Sequence, residues 1–265
     1  MSNAIEEAVF KLHERPPAAF DMESATDSEL KRFGLPIGRT ETEKALIART
    51  LKRLRGRLRF VKPRLRILPP RTKVVPALSR GRTGGVEQSE LSQNWAGVAM
   101  YASLQDPVRW VTTEFTVPNV AGTAPGTAGR SSHWIGIDGY SEDAAGRQLC
   151  QCGVDCDNTP GSEVSRPYLW VEWVPGPMAV VYHEDFKLSP GDLLGVTLCT
   201  SGQGATSATA NFVNLTTGVV LTPVQFSAPP GVSLSGETVE WISERPFDVD
   251  SQSTFPLGNF GNVVF

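Results

Sequence analysis

The sequence predicts an all-β fold, an antiparallel β-sandwich, preceded by a partly helical and basic N-terminal segment. Helical periodicity is confined to one stretch before residue 60. From Asn94 onward, short runs of β-branched and aromatic residues follow one another at spacings of about ten residues, separated by Gly, Pro and Ser clusters. No helix is predicted between these runs, which favours an antiparallel sandwich or barrel.

The charge of the chain changes sign along its length. Residues 1–82 hold 19 of the 25 basic and 9 of the 28 acidic residues, a formal charge of +10, and residues 83–265 carry −13. Such an asymmetry indicates a functional division. We assign 1–85 to a basic N-terminal region, 86–93 to a linker and 94–265 to one β-sandwich domain, which is long enough to bury its own core.

One amphipathic helix is predicted in the N-terminal region, at about 41–59. Thr40 and Glu43 have the spacing of a capping box at its start. Apolar residues then recur at helical spacing, namely Ile47, Leu51, Leu54 and Leu58. Four prolines between residues 63 and 76 are expected to keep the following chain extended.

The second region contains eleven strand candidates. They are Ala96–Tyr101, Val108–Val117, Ser132–Ile137, Gln148–Val154, Tyr168–Trp173, Val180–Phe186, Leu193–Thr200, Ser207–Asn214, Gly218–Phe226, Thr238–Ser243 and Gly261–Phe265.

Several functional classes are disfavoured. The sequence contains no run of about 18 apolar residues, so no membrane-spanning helix is predicted. Met1–Phe20 has charged residues where a secretory signal has its apolar core. Serine-triad, zinc-peptidase and two-aspartate motifs are missing from the sequence. We interpret His133 and His183 as structural, and we expect neither a cofactor nor a catalytic metal.

The four cysteines leave two interpretations open. Cys150, Cys152 and Cys156 lie within seven residues, and Cys199 is distant. The cluster could bind zinc, but no histidine follows at a typical ligand spacing. Disulfides or buried thiols are therefore favoured, and among the three possible pairings the spacing does not discriminate.

Four strand candidates place polar or acidic residues beside aromatic or small ones on one face, because residues two apart share a face. The sets are Trp134, Gly136 and Asp138; Gln151, Gly153 and Asp155; Tyr168, Trp170 and Glu172; and Glu240, Ile242 and Glu244. They predict a groove for a polymer, the alternative being ordinary exposed faces of edge strands. Crowded carboxylates raise one another's pKa, so that one can act as base and then as acid. An amide such as that of Gln151 can stabilise an oxyanion without titrating.

Residues 94–248 resemble the glutamic peptidases (eqolisins, peptidase family G1). Eight short motifs carry the resemblance in family order: Asn94–Gly97, Phe115–Pro118, Trp134–Gly139, Gln151–Asp155, Trp170–Pro175, Gly191-Asp192, Asn214–Gly218 and Glu240–Glu244. Each motif alone is weak, whereas eight in one order are specific.

The resemblance implies a lectin-like jelly roll of two curved seven-stranded sheets that hydrolyses peptide bonds at acid pH with a Gln/Glu dyad. Matched by motif, the dyad is Gln151 and Glu244. Substrate-binding residues of the cleft would be Trp134, Asp138, Asp155, Glu172 and Trp170. In this interpretation Glu244 takes a proton from the attacking water and the Gln151 amide stabilises the oxyanion.

The resemblance also implies a role for the basic region as a propeptide. We expect it to cover the acidic groove as an intramolecular inhibitor until the pH falls. The expected protein is a monomer that acts on polypeptides in an acidic secreted or extracytoplasmic environment, with no membrane or nucleic-acid partner.

Two other functions fit parts of the pattern. A retaining glycosidase uses two carboxylates, for which Glu172 and Glu244 are candidates with Trp134 and Trp170 as sugar platforms, but it leaves Gln151 without a role. A carbohydrate-binding module would use the same groove without turnover. Nucleic-acid binding by the basic region is disfavoured because few aromatic residues accompany its charges.

Overall fold

Two sheets pack face to face in a computed structural model of the chain. The structure describes residues 9–17, 20–22, 24–53, 58–70, 92, 94–103, 105–124, 126–140, 148–162, 164–248 and 253–265. Within this part of the chain each sheet has seven strands. The predicted all-β sandwich is confirmed.

One sheet, which we call the site sheet, is antiparallel throughout. Its strands, in spatial order, are β3 (Leu65–Leu68), β9 (Met178–Val181), β8 (Arg166–Val174), β7 (Leu149–Asn158), β6 (Gly129–Ile137), β14 (Thr238–Glu244) and β4 (Trp95–Tyr101).

The other sheet, the opposite sheet, contains one parallel pair, between β2 and β12. Its main path is β1 (Phe10–Leu12), β13 (Val224–Ser227), β11 (Ser207–Asn214), β10 (Leu193–Thr200) and β5 (Trp110–Thr116), with β12 (Val219–Leu221) on β11 and β2 (Arg59–Val61) on β12. Outside the sheets lie a small pair, β15 (Phe247–Asp248) with β16 (Ser253–Thr254), and the helices α1 (Asp27–Arg32) and α2 (Glu41–Arg53).

The observed elements differ from the predicted ones at a few places. The candidate Gly218–Phe226 divides into β12 and β13 around Thr222-Pro223, because proline lacks the N–H that a ladder needs. Gly261–Phe265 forms no strand. The predicted helix is present over Glu41–Arg53, its part at residues 54–57 lies outside the described residues, and Arg59 begins β2. The predicted linker, apart from Ser92, lies outside the described residues.

The N-terminal region contributes strands to both sheets, which the sequence did not predict. β1 pairs with β13 and β2 with β12 in the opposite sheet. β3 pairs with β9 at the edge of the site sheet. The division into 1–85 and 94–265 stays a prediction, but the two regions share backbone hydrogen bonds.

The main core lies between the sheets and encloses one histidine. Large buried side chains such as Ile135, Trp173 and Phe212 fill this core. The buried His133 ring is bonded at 2.9 Å to Ser131 Oγ through Nε2 and at 2.9 Å to Ser243 Oγ through Nδ1. Burial lowers the pKa of His133 from 6.5 to about 4.

This histidine predicts a loss of stability in acid. Because its pKa is lower in the folded than in the unfolded state, its contribution is complete above pH 6.5 and is lost as the pH falls to about 4. The loss amounts to about 3 kcal/mol. We expect His133→Gln to flatten the dependence of the unfolding free energy on pH in this interval, as measured by urea denaturation. His183→Gln, at an exposed position, is the control, and an unchanged slope for His133→Gln would contradict the prediction.

Candidate active site

The candidate site lies on the outer face of the site sheet, the face turned away from the opposite sheet. Antiparallel register arranges its residues in three rows across the strands. The glutamine row contains Leu68, Met178, Glu172, Gln151, Gly136, Glu240 and Ala99. The tryptophan row contains Val180, Trp170, Gly153, Trp134, Ile242 and Gly97. The third row contains Tyr168, Asp155, Ser132, Glu244 and Trp95.

Gly136 separates Gln151 from Glu240 in the glutamine row. Gln151 pairs with Gly136 on one side, and Glu240 pairs with it on the other. The Cα atoms of Gln151 and Glu240 are therefore two strand spacings, about 10 Å, apart. A Cβ atom at Gly136 would lie 3.1 Å from Glu240 Oε2 and 2.7 Å from Leu149 Cδ1. Glycine thus allows the Leu149, Trp134 and Glu240 side chains to approach the backbone of β6 closely at this point.

Polar atoms of both groups are buried without partners. Gln151 and Glu240 are each 0% exposed. Gln151 Oε1 and both carboxylate oxygens of Glu240 have no hydrogen-bond partner of normal geometry among the described residues. Buried polar groups are nearly always well paired, so three oxygens in one row that lack hydrogen bonds of normal geometry indicate a place where a bound molecule could make such contacts.

Glu172 orients the Gln151 amide. Gln151 Nε2 donates a hydrogen bond of 2.7 Å to Glu172 Oε2 from the next strand. This bond fixes which end of the amide is the nitrogen. Because Nε2 carries two hydrogens, one of them remains to donate to another acceptor.

The Glu240 carboxyl group is held towards its protonated form. Burial raises its pKa well above 4.5 and is the largest cause. Weak interactions with the Thr238 hydroxyl and the Tyr140 backbone lower the pKa, whereas the nearby charge of Asp138 raises it further. A carboxyl group of this kind is suited to both accepting and returning a proton near its working pH.

Glu244 lies in a different row from Gln151. It pairs with Ser132 in the third row, four residues along the strand from Glu240, which is about 13 Å at 3.3 Å per residue. Glu244 Oε2 accepts a hydrogen bond of 2.8 Å from Trp134 Nε1, and Oε1 accepts one of 3.3 Å from Asn94 Nδ2. The predicted dyad of Gln151 and Glu244 is therefore not brought together, and Glu240 occupies the place opposite Gln151.

Comparison with known proteins decides the family. Residues 93–265 match the model of the peptidase A4 family. The chain belongs to this family, the eqolisins. It is 32% identical over 201 residues to aspergillopepsin-2 of Aspergillus niger, a match that covers 68% of the chain and 65% of that protein. The chain thus spans slightly less than two thirds of the length of this relative.

A solved structure shares the eqolisin fold. The chain resembles the crystal structure of scytalido-glutamic peptidase with a transition state analog inhibitor, with a TM-score of 0.51 and 24% identity over 64% of this chain and 75% of that one. This likeness supports the two-sheet architecture. The family resemblance seen in the sequence motifs is confirmed.

The predicted site residues of this eqolisin are buried. Gln151, Glu172, Trp134, Trp170, Asp138, Asp155 and Glu244 are all 7% exposed or less. Their strands, β6, β7, β8 and β14, lie inside the sheet, so the alternative of exposed edge-strand faces is wrong. The outer face also carries a second apolar cluster around Trp134, Trp170 and Met178.

Two predicted substrate-binding aspartates are already engaged by the protein. Asp155 Oδ2 accepts a hydrogen bond of 3.1 Å from the Tyr168 hydroxyl. Asp138 lies beyond the end of β6 and accepts from the backbone of residues 235–237. Sequence reasoning placed Glu240 on the correct face but assigned it no role. Its register with Gly136 places it opposite Gln151.

Three of the cysteines face the main core, and all four are free thiols. Cys150, Cys152 and Cys156 on β7 and Cys199 on β10 make no disulfide. Burial raises the pKa of all four thiols, that of Cys199 to about 12. Within the described ranges no cluster of three or more His, Cys, Asp or Glu side chains is arranged for a metal ion. No helix in those ranges is long and apolar enough to span a membrane.

Proposed function

We propose that this eqolisin is an acid-acting endopeptidase in which Glu240 and Gln151 act on the scissile peptide bond of a polypeptide. The observation that carries the proposal is their placement on either side of Gly136. It places a buried carboxyl group and an oriented amide in one row of the sheet, with only a glycine between them. Family membership supports peptide bonds as the target.

Glu240 acts as general base and then as general acid. In its ionised form it takes a proton from a water molecule, which attacks the carbonyl carbon. It then returns the proton to the leaving nitrogen, so that no covalent intermediate forms. Water that enters the site with the substrate would hydrate the Glu240 carboxyl group. Because burial raises the pKa of this group, hydration would lower it.

Gln151 stabilises the oxyanion. Its Nε2 donates one hydrogen to Glu172 and the other to the carbonyl oxygen of the substrate, on which negative charge develops. A neutral amide suits acid conditions because it does not titrate. One donor of this type typically lowers the barrier by about 3–4 kcal/mol.

Hydrolysis of a denatured protein, with a polysaccharide assayed in parallel, tests this function. Both substrates are incubated with the processed protein across the acid range. Peptide release with no release of sugar is the expected result. Sugar release would favour the glycosidase alternative instead. That alternative needs carboxyl groups about 5–5.5 Å apart, whereas its candidate pair, Glu172 and Glu244, lies in different rows on strands that are three apart in the sheet.

We propose further that the N-terminal region inhibits the enzyme by strand pairing as well as by charge. β3 pairs with β9 beside the site, and Leu68 packs against the apolar cluster around Trp170. Arg64, which directly precedes β3, is held in place by contacts with Asp185. Its Nε and Nη2 lie 2.9 and 3.1 Å from the Asp185 carboxylate, and its backbone N–H donates to Oδ2 at 2.7 Å.

Asp185→Asn is expected to make release of the N-terminal region easier. The hydrogen bonds and charge of Arg64 lower the pKa of Asp185, so the contact persists until the pH falls below the ordinary range of an aspartate. Without the charge, processing of the full chain should begin at a higher pH. Gel electrophoresis after incubation at graded pH measures this shift. Glu184→Gln, which alters a weaker contact of 3.9 Å, is the control, and identical onset in all three proteins would contradict the inhibitor proposal.

A further inference from the structure

Asp138 has an unusual backbone at the end of β6. Its φ angle is 61°, and it is the only residue other than glycine with a positive φ in the described part of the chain. An aspartate tolerates this conformation better than most residues, but at some cost. Asp138 is also buried, with 4% of its surface exposed. A strained, buried carboxylate requires strong local contacts to hold it there.

The Asp138 carboxylate is occupied by the turn at residues 235–237. Oδ2 accepts from the backbone N–H groups of Ser235 at 2.6 Å and Gly236 at 3.1 Å. Oδ1 accepts from the N–H of Glu237 at 2.9 Å and from Ser235 Oγ at 2.9 Å. Charge-assisted bonds of this kind are about twice as strong as neutral ones. The carboxylate therefore fixes three successive peptide groups.

This turn leads directly into the strand that carries Glu240. β14 begins at Thr238, whose carbonyl oxygen accepts a hydrogen bond of 3.0 Å from the Asp138 N–H. Glu240 is two residues further along β14, and its partner Gly136 is two residues before Asp138 on β6. Asp138 thus ties the start of β14 to the end of β6. A slip of one residue at this point would turn Glu240 to the other face of the sheet.

We propose that Asp138 is a positioning residue that sets the register of Glu240 opposite Gln151, and not the substrate-binding residue that the motif comparison implied. This inference rests on the proposed function of Glu240. Asp138 has a second effect on the same group, because its negative charge raises the pKa of Glu240 beyond the rise that burial causes. The charge of Asp138 also raises the pKa of the Cys150 thiol, which burial raises most.

Asp138→Asn is the test. The asparagine nitrogen is a donor and would face backbone N–H groups. The turn therefore loses the hydrogen bonds that one of the two carboxylate oxygens of Asp138 accepts. We expect kcat to fall by about 10²-fold, the loss typical of a displacement of about 1 Å, with a much smaller change in KM. We also expect the pKa in the pH profile of kcat/KM to move down, because the charge that raised it is removed. The profile distinguishes this role from general destabilisation.

Asp192→Asn is the matched control. Asp192 also accepts a backbone hydrogen bond, from Ser189 at 2.9 Å, and one of 2.8 Å from Asn214, in a loop attached to the opposite sheet. It should lose stability but keep the kcat and pH profile of the wild type. Ser235→Ala removes one bond to Asp138 and is the milder variant if Asp138→Asn does not fold. It should lower kcat several-fold with KM unchanged.

The two proposals fail in different ways. An unchanged kcat and pH profile in a folded Asp138→Asn, or an unchanged kcat in Ser235→Ala, overturns the positioning role. A raised KM with normal kcat in Asp138→Asn also overturns it and returns Asp138 to substrate binding. Full activity of Glu240→Gln overturns the proposed function itself.

Discussion

Glu240→Gln is expected to lower kcat for peptide hydrolysis by about 10²–10⁴-fold, the range that general acid–base catalysis contributes. Glutamine has nearly the shape of glutamic acid but accepts no proton from the attacking water. Initial rates of cleavage of a denatured protein at acid pH measure the effect. Glu237→Gln, at an exposed position three residues earlier, should keep wild-type activity.

A loss of folding does not explain this expected loss of activity. Burial raises the pKa of Glu240 in the folded protein, so the folded state holds the proton more tightly than the unfolded state. The contribution of Glu240 to stability is therefore present at low pH and is lost as the pH rises through its raised pKa. Because glutamine does not titrate, the variant should be at least as stable as the wild type at neutral pH. A variant that is less stable at neutral pH would contradict the buried carboxyl assignment.

Gln151→Ala is expected to lower kcat by about 10²–10³-fold, which corresponds to about 2.7–4 kcal/mol for one oxyanion donor. The substitution also removes the 2.7 Å hydrogen bond to Glu172. Single-turnover rates with saturating peptide measure the chemical step separately from binding. A kcat within tenfold of the wild type would remove Gln151 from the mechanism.

Val154→Ala controls for the cavity that Gln151→Ala leaves. Val154 lies on the same strand but faces the main core, and it is 0% exposed. Its truncation should reduce the free energy of unfolding by about 1–3 kcal/mol. The rate of the folded fraction should not change. A similar loss of kcat in both variants would indicate a general effect of packing in β7.

Much of the sandwich could be predicted from the sequence because strand signals are local. Alternation of side chains identified the strand around Ser207–Asn214 with its observed bounds. The same alternation placed Gln151 and Glu172 on one face. The N-terminal strands were not predicted, because they are only three or four residues long and pair with strands that are distant in the sequence. A basic, proline-rich segment carries no local signal for such pairing.

The choice between Glu240 and Glu244 shows what the alternation leaves undetermined. Both residues lie on the same face of β14, since they are an even number of residues apart. Only the pairing of β14 with β6 decides which one stands opposite Gln151, and that register is a long-range property. The short motif Glu240–Glu244 contains both candidates, so motif matching alone does not discriminate between their two rows.

The most direct test of the central claim compares Glu240→Gln with Glu244→Gln in the same assay. The claim is that the reacting pair is Gln151 with Glu240, across Gly136. We predict that Glu240→Gln loses at least about 10²-fold in kcat. Glu244→Gln, which perturbs the contact with Trp134, should retain activity within about tenfold. Loss of activity in Glu244→Gln together with retained activity in Glu240→Gln would contradict the claim.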